Sequence, residues 1–450
     1  MSEDHAWLGI GQLASAFREG RFTPTEHLEH RLARIEVIDP RLCAFILVDR
    51  EGARRAAAEA DARFAAGQPL GLLDGVPIGI KDVIDVAGLP TTCHSRLMPD
   101  HPAASDAAVV AALRAGGAVI VGKLATHEFA IGGPSFDLPY PPARNPWNLD
   151  HHPGGSSSGA GAAVAAGLVA GAVGTDTAGS VRNPAGACGV VGLKPTLGSL
   201  PRDGVFPLAW SLDHVGALAR SVVDARLLHV AMGGHAPALQ RSIKGLRIGF
   251  VRHFHERDMI AEPETAAALD RVAGALEAAG AQVVTVELPP LELFATINRV
   301  VLQAEGFALH AANMRHRPMD FAATTRAALL PGAFTTAEDY LTAQRRRSEV
   351  FAAVEAVFGQ VDALLCANSM EPSCRIDDPA EIARSYMLNA RAPFNVTGHP
   401  ALAMMAGLSA GGLPLSAQFA ARRDDEATLL GVAAAWEAAM GPLPRPPLTR

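Results

Sequence analysis

The sequence predicts an α/β fold in which a largely parallel or mixed β-sheet is covered by helices on both faces. Segments with strand patterns alternate with helical segments along most of the chain, and this alternation is typical of helices packed on both faces of a sheet. Apolar residues make up 49% of the 450 residues, which is enough to bury a large core. Aromatic residues make up only 5%, so we expect that core to consist of small aliphatic side chains.

The elements of the first half are indicated by a helix cap and by short apolar runs. Thr23-Pro24-Thr25-Glu26 combines a capping box with proline at the first helical position, and it predicts the start of a helix. The other predicted elements here are strands at 43–48, 75–81 and 118–122 and helices at 51–66 and 105–116. After these, the patterns predict a helix over 158–168, a return strand over 169–177 and a tight glycine turn at 178–180.

The second half continues the alternation of strands and helices. The predicted strands are 246–251, 282–288, 362–367, 401–405 and 413–419, and the predicted helices are 262–279, 291–312, 338–358 and about 424–440. Residues 133–155 and 195–207 are rich in proline and glycine and predict ordered loops. The segment 235–350 contains its own βαβ-like unit and could form a lobe or an insertion.

Charge and cysteine content argue against several classes of protein. The net charge of −7 does not favour a nucleic-acid-binding surface, which usually carries a basic patch. Five single cysteines lack the spacing of a zinc knuckle and fit a reducing compartment, and the N-terminus lacks a signal-peptide pattern, so we expect a cytoplasmic protein. Residues 153–175 are uncharged, but they are mostly Ala, Gly and Ser, so no membrane span is expected.

Serines lie at both ends of the segment 154–180, and we ask whether they form a catalytic site. Residues 155–159 match G-x-S-x-G, but no buried strand precedes them as the α/β-hydrolase nucleophile elbow requires. A phosphate-binding P-loop is not favoured either, since no Gly-Lys-Ser/Thr follows. The chain has two glycine loops that carry serines, at 154–159 and 178–180, and each leads into a further segment. This pattern favours a serine nucleophile beside backbone N–H groups that stabilise an oxyanion.

A serine nucleophile needs a group that removes its proton, and the chain offers two kinds of residue for this. None of the 16 histidines has a distinctive context, and the pair His151-His152 lacks further metal ligands, so no metal is expected. Lys81 ends the predicted strand 75–81, where burial would favour its neutral form. A neutral lysine at pH 7 requires a pKa shift of about three units, or ~4 kcal/mol, and a surface lysine remains the alternative at this point.

Three stretches together resemble the amidase signature family: DGVPIGIKDVIDVAGLPTTCHS at 74–95, GGSSSGAGAAVAAG at 154–167 and GTDTAGSVRNPAGACGVVGLKPT at 174–196. Supporting similarity occurs at 122–130, 145–148, 204–216 and 394–404, and it is weakest from about 250 to 390. The resemblance implies one large mixed, twisted β-sheet covered by helices on both faces. It also implies a single domain over 1–440, with a signature core at about 70–225 and a C-terminal tail at 441–450.

The resemblance implies a Ser–Ser–Lys triad that needs no metal or cofactor. Lys81 would be the base, Ser156 the bridging serine on a cis peptide bond, and Ser180 the nucleophile. The backbone amides of four consecutive residues would form the oxyanion hole: Thr177, Ala178, Gly179 and Ser180. The implied supporting residues are Asp176 and Arg182, expected to form a salt bridge that stiffens the loop, and Ser157. Ala178 replaces a glycine that is usual in the family, so the loop requires a negative φ at this position.

Low aromatic content and the lack of an N-terminal membrane helix argue against long-chain lipid amides, so we expect the substrate to be a small soluble amide or a urea- or carbamate-like compound. The aromatic residues expected to line its pocket are Phe129, Phe206, Trp210 and Tyr386. One alternative is the glutaminase (A) subunit of a tRNA-dependent amidotransferase, which would act with a partner that holds charged tRNA. A second alternative is a non-catalytic binding member of the family. We expect neither a nucleic-acid nor a membrane partner, and a homodimer is left open because family members are often dimers.

Overall fold

Strands from both halves of the chain form one mixed β-sheet in the computed structural model, which describes residues 3–235 and 242–449. The eleven strands of these residues are β1 (Phe45–Val48), β2 (Pro77–Lys81), β3 (Val119–Leu124), β4 (Gly171–Asp176), β5 (Val191–Lys194), β6 (His214–Ala219), β7 (Arg247–Phe250), β8 (Gln282–Thr285), β9 (Ala363–Ala367), β10 (Ala401–Leu408) and β11 (Pro414–Ala421). Their order across the sheet is β1-β3-β2-β4-β6-β5-β10-β11-β9-β7-β8. β2 pairs in parallel with β3 and β4, whereas β4 pairs antiparallel with β6, so the predicted mixed sheet is confirmed.

Helices pack on both faces of this sheet. They are α1 (Ile10–Arg18), α2 (Pro24–Leu42), α3 (Arg50–Ala65), α4 (Ala108–Ala115), α5 (Ser158–Ala165), α6 (Arg182–Cys188), α7 (Val222–Ala231), α8 (His253–Glu256), α9 (Pro263–Ala278), α10 (Leu291–His316), α11 (Ala323–Leu329), α12 (Ala337–Phe358), α13 (Pro379–Ser385), α14 (Pro393–Val396) and α15 (Glu426–Met440). Successive strand side chains point to opposite faces. Accordingly, Ala172 of β4 lies in a core cluster with α2, α3 and α5, whereas Val173 lies in the cluster that contains α7, α9 and α15.

Most of the predicted elements are confirmed within a few residues. The Thr23 hydroxyl accepts the Glu26 amide at 3.1 Å and the Glu26 carboxylate accepts the Thr23 amide at 2.8 Å, which is the predicted capping box. Three elements at 191–231, namely β5, β6 and α7, were not predicted. β5 and β6 are short, completely buried strands without alternation, so periodicity does not distinguish them from loops.

The division of the chain into domains stays a prediction. β7 and β8 come from the segment 235–350, and β7 pairs in parallel with β9 in the same sheet. Within the described residues, no helix is both long enough and apolar enough to cross a membrane.

Small residues let α5 approach the sheet closely. Every residue of α5 and of β4 is buried. A Cβ on Gly159 would lie 2.5 Å from the backbone N of Ala125 and would also collide with the carbonyl oxygen of Ala44. The glycine- and alanine-rich composition of 154–176 therefore serves packing, and it brings the two serine-bearing ends of this segment together.

We expect Gly159→Ala to lower the free energy of unfolding by roughly 2 kcal/mol or more, because backbone atoms of two neighbouring segments would have to move. The matched control is Gly274→Ala, since Gly274 lies inside α9 and a Cβ there meets nothing within 4 Å. That control should be neutral or stabilising by about 0.5–1 kcal/mol. Urea unfolding measures both variants, and equal stabilities would contradict the packing argument.

Candidate active site

Lys81 is the last residue of β2 and its amino group is fully buried. The Lys81 Nζ lies 2.7 Å from the Ser156 Oγ and 2.8 Å from the Thr175 Oγ1. Burial lowers the pKa of Lys81 to about 7, although Asp176 and Asp213 act in the opposite direction. A large fraction of this amine is therefore uncharged at neutral pH, which is the state that a proton acceptor requires.

Ser156 lies on the loop that enters α5, and the peptide bond between Gly155 and Ser156 is cis, as the resemblance implies. The Ser156 carbonyl accepts the backbone amides of His127 at 3.1 Å and of Ser158 at 2.8 Å. The backbone around Ser156 is thus held from two sides while its hydroxyl faces Lys81.

Ser180 lies on the loop between β4 and α6 and lines the same cavity as Ser156. Ser157 connects the two serine loops, because its amide donates to the Ser180 carbonyl at 3.1 Å. The Ser157 hydroxyl also donates to the Thr175 carbonyl at 3.2 Å. Ser157 therefore contacts Thr175, a neighbour of Lys81, rather than the lysine itself.

The loop 177–180 contributes three residues to the cavity lining. Thr177, Ala178 and Ser180 line the cavity, and the described residues provide no acceptor for their backbone N–H groups. Gly179 differs from the prediction, since its amide donates to the Asp176 Oδ1 at 2.7 Å. Gly179 has a φ of 114°, whereas Ala178 is not among the residues with positive φ, so the alanine fits the loop without strain.

Asp176 and Arg182 form a salt bridge with an oxygen–nitrogen distance of 3.0 Å, and both side chains are inaccessible to solvent. Burial raises the pKa of the Asp176 carboxyl, but the charge and hydrogen bonds of Arg182 outweigh this and hold that pKa well below its usual range. Arg182 also donates to the carbonyl of Arg391 and to the side chains of Asn395 and Gln418. The pair fastens the loop before Ser180 to the C-terminal third of the chain.

The cavity beside the two serines has a volume of about 370 Å³. Of the four aromatic residues predicted to line a substrate pocket, Tyr386 lines it, and its hydroxyl lies 3.4 Å from the His127 Nε2. Phe129 and Phe206 pack against each other at 5.4 Å between ring centroids, and Trp210 is 46% exposed, so these three lie elsewhere. Phe129 and Phe206 are absent from the cavity lining because they pack against each other, and Trp210 is absent because it faces solvent.

Several residues at the site were missed by the sequence analysis. Thr175 contacts Lys81 only because β2 and β4 are neighbours, a pairing that no local pattern reveals. Asn298 of α10 donates to the Thr177 carbonyl at 3.1 Å, and Arg391 packs against Gly179. Asn298 lies within the region of weakest resemblance and Arg391 lies just after it, and no motif marks either residue. Among the described residues, no group of three His, Cys, Asp or Glu side chains is placed to hold a metal ion.

Comparisons with known proteins identify the family of this chain. The family model described as Amidase matches residues 26–430. The (A) subunit of glutamyl-tRNA(Gln) amidotransferase from Anaeromyxobacter dehalogenans (strain 2CP-C) is 36% identical, and the match covers 98% of each chain. Among solved structures, native peptide amidase from Stenotrophomonas maltophilia is 28% identical with a TM-score of 0.86, covering 100% of each chain. A structure from work on a vestigial complex and the origins of an s-triazine catabolic enzyme is 32% identical with a TM-score of 0.89, covering 97% of this chain and 100% of that one. The chain belongs to the amidase signature family and is an enzyme that acts on amides.

Proposed function

We propose that the protein hydrolyses a carbon–nitrogen bond in a small soluble amide, or in a urea- or carbamate-like compound, through an acyl-enzyme on Ser180. The observation that carries this proposal is the buried Lys81 amine, 2.7 Å from the Ser156 hydroxyl and beside the cavity that Ser180 lines. Lysine with a pKa near the working pH is an efficient proton acceptor.

The reaction begins with proton transfers along the three side chains. Neutral Lys81 accepts the proton of Ser156 while Ser156 accepts the proton of Ser180, and the Ser180 Oγ forms a bond to the amide carbonyl carbon. The carbonyl oxygen gains negative charge and accepts hydrogen bonds from the amides that line the cavity at 177, 178 and 180.

The intermediate then breaks down to the acyl-enzyme. The carbon–nitrogen bond breaks, and the leaving nitrogen takes a proton from Ser156, which is replenished from Lys81. Water attacks the ester on Ser180 and gives up a proton through the same two groups. The bond between the Ser180 Oγ and the acyl carbon then breaks, Ser180 takes back a proton through Ser156, and the acid is released: a carboxylic acid from an amide or a carbamic acid from a urea.

The cytoplasmic location of the protein and its assembly into a homodimer remain predictions.

A second candidate is the glutaminase component of a tRNA-dependent amidotransferase. It is favoured by the curated relatives, which carry the name of that amidotransferase and match the chain almost end to end. In this reading the same three side chains release ammonia from glutamine for a partner that holds charged tRNA.

The pH dependence of hydrolysis should report the protonation of Lys81. Because protonated Lys81 cannot accept a proton, kcat/KM should rise about tenfold per pH unit below pH 7 and level off above it. The measurement is ammonia or amine release from a panel of primary amides, anilides and ureas. Lys81→Ala should lose several orders of magnitude at pH 7 and recover in part at high pH, whereas Lys244→Ala, which removes an exposed lysine, should keep the wild-type profile. A flat wild-type profile, or near-normal activity of the Lys81 variant, would show that another group is the base.

Ser180 should react with a fluorophosphonate, since a nucleophile activated by a base attacks such reagents. Peptide mass spectrometry should find the adduct on Ser180, and Ser180→Ala should lose both the adduct and amide turnover. Ser348→Ala, on the exposed face of α12, serves as the control and should retain both. An unlabelled wild-type protein that also turns over no amide would favour a non-catalytic member of the family.

The two candidate substrates are separated by ammonia release from L-glutamine, with and without the tRNA-binding component of an amidotransferase. The first candidate predicts hydrolysis of small amides by the isolated chain and no stimulation by the tRNA-binding component. Stimulated glutaminase activity without turnover of the amide panel would establish the second candidate instead.

A further inference from the structure

Arg391 is a buried cation in the cavity without an ion-pair partner among the described residues. It lies between α13 and α14, lines the cavity, and is only 4% exposed. Its Nη1 donates to the Asn368 carbonyl at 3.0 Å and to the Ser369 hydroxyl at 2.7 Å, while its buried Nε has no acceptor in the described part of the chain. Two carboxylates of the surrounding segments are engaged elsewhere: Asp176 pairs with Arg182, and Glu371 pairs with Arg384.

A buried guanidinium in this state favours the arrival of an anion. Burial and the nearby charge of Arg182 lower the pKa of Arg391 to about 9, so the group stays charged at neutral pH. An unpaired buried charge is costly, and an anion that binds it recovers much of that cost. Because Nη1 donates to Asn368 and Ser369 and Nε is buried against Gly179, Nη2 is the nitrogen of Arg391 left to donate to a carboxylate, in a charge-assisted hydrogen bond.

Arg391 lies next to the loop of the proposed nucleophile. A Cβ placed on Gly179 would lie 2.5 Å from the Arg391 Cδ and 2.6 Å from its Nε. The arginine therefore packs directly on the residue before Ser180. Ser180 and Arg391 line the same cavity of about 370 Å³. One small molecule in this cavity could therefore place its anionic group on Arg391 and its amide carbonyl at Ser180.

The charged side chains among the described lining residues of the cavity are all positive. A second arginine, Arg299 of α10, also lines it, and no Asp or Glu occurs among the described lining residues. His127 adds no charge, because burial and the charge of Lys81 hold its pKa well below the usual range. The local excess of positive charge favours anionic ligands at the cavity, in contrast to the net charge of −7 of the whole chain.

We infer that the preferred substrate is an amide that also carries a carboxylate, and that Arg391 binds this carboxylate. The inference rests on the proposed hydrolysis at Ser180 and adds the charge of the molecule that is cut. An α-amino acid amide such as L-glutamine also brings an ammonium group, for which the described lining provides no carboxylate. A monoanionic amide without an amino group, such as glutaramate, fits the charges better.

The test compares malonamate, succinamate and glutaramate with the uncharged amides of the same chain lengths. We expect wild-type kcat/KM to favour the carboxylate in at least one pair by about a hundredfold. Arg391→Gln should reduce that ratio by at least about thirtyfold, mainly through KM, and Arg391→Lys should retain part of it. Arg315→Gln removes an exposed charge at the end of α10 and should keep the wild-type ratio. A wild-type preference for the uncharged amide in every pair, or a ratio unchanged in Arg391→Gln, would overturn the inference.

A binding measurement separates this inference from the proposed reaction. Calorimetry with glutaramate on Ser180→Ala should detect binding that weakens with added salt and falls at least about tenfold in the Ser180→Ala, Arg391→Gln double variant. The melting curve of Arg391→Gln shows whether this variant folds. If it does not fold, the substrate ratios of Arg391→Lys and of the wild type decide whether Arg391 binds the carboxylate. Turnover without a preference for carboxylates would reject the inference and leave the proposed hydrolysis intact. Full turnover by Ser180→Ala would reject the proposed reaction, while the binding result would still decide on Arg391.

Discussion

The site depends on keeping the Lys81 amine buried and away from carboxylates at contact distance. Lys81 and Lys123 lie on neighbouring parallel strands, and both are fully buried. The Lys123 Nζ lies 2.9 Å from the Asp82 Oδ1, whereas the side-chain partners of Lys81 are two hydroxyls. Asp82 follows Lys81 directly in the chain, yet its carboxylate points to Lys123 and to Thr92. This separation of charges leaves Lys81 with a lowered pKa, because a direct carboxylate would have stabilised the ammonium.

The second constraint is the stiffness of the loop before Ser180. Asp176 accepts the amides of Gly179 and Val181 and pairs with Arg182, so one carboxylate holds several consecutive residues. Arg182 in turn reaches α14 and β11, which come more than 200 residues later in the chain. The loop that contributes residues 177, 178 and 180 to the cavity lining is therefore fixed by contacts with the C-terminal third, and a loop held in this way needs little reorganisation when charge develops beside it.

The residues that line the cavity come from distant parts of the chain. The serines and the lysine come from β2, from the loop before α5 and from the loop after β4. The lining also includes residues of α10 and of the segment 386–392, and these two parts supply both arginines. The serines and the lysine lie in the long motifs of the resemblance, whereas the two arginines lie within or beside the region where the resemblance is weakest.

The sequence by itself determined the alternation of strands and helices, the capped start of α2 and the three long motifs that contain Lys81, Ser156 and Ser180. These features are local, because caps and periodicity act over a few residues. Only the tertiary structure decided which strands are neighbours, and so which hydroxyl besides Ser156 contacts Lys81. It also placed the Gly179 amide on Asp176, Phe129 and Phe206 against each other, and Arg391 on Gly179. These contacts join residues that are distant in the chain or depend on buried geometry. Pairing, burial and pKa follow from the packing of the whole sheet, and no short pattern of residues encodes them.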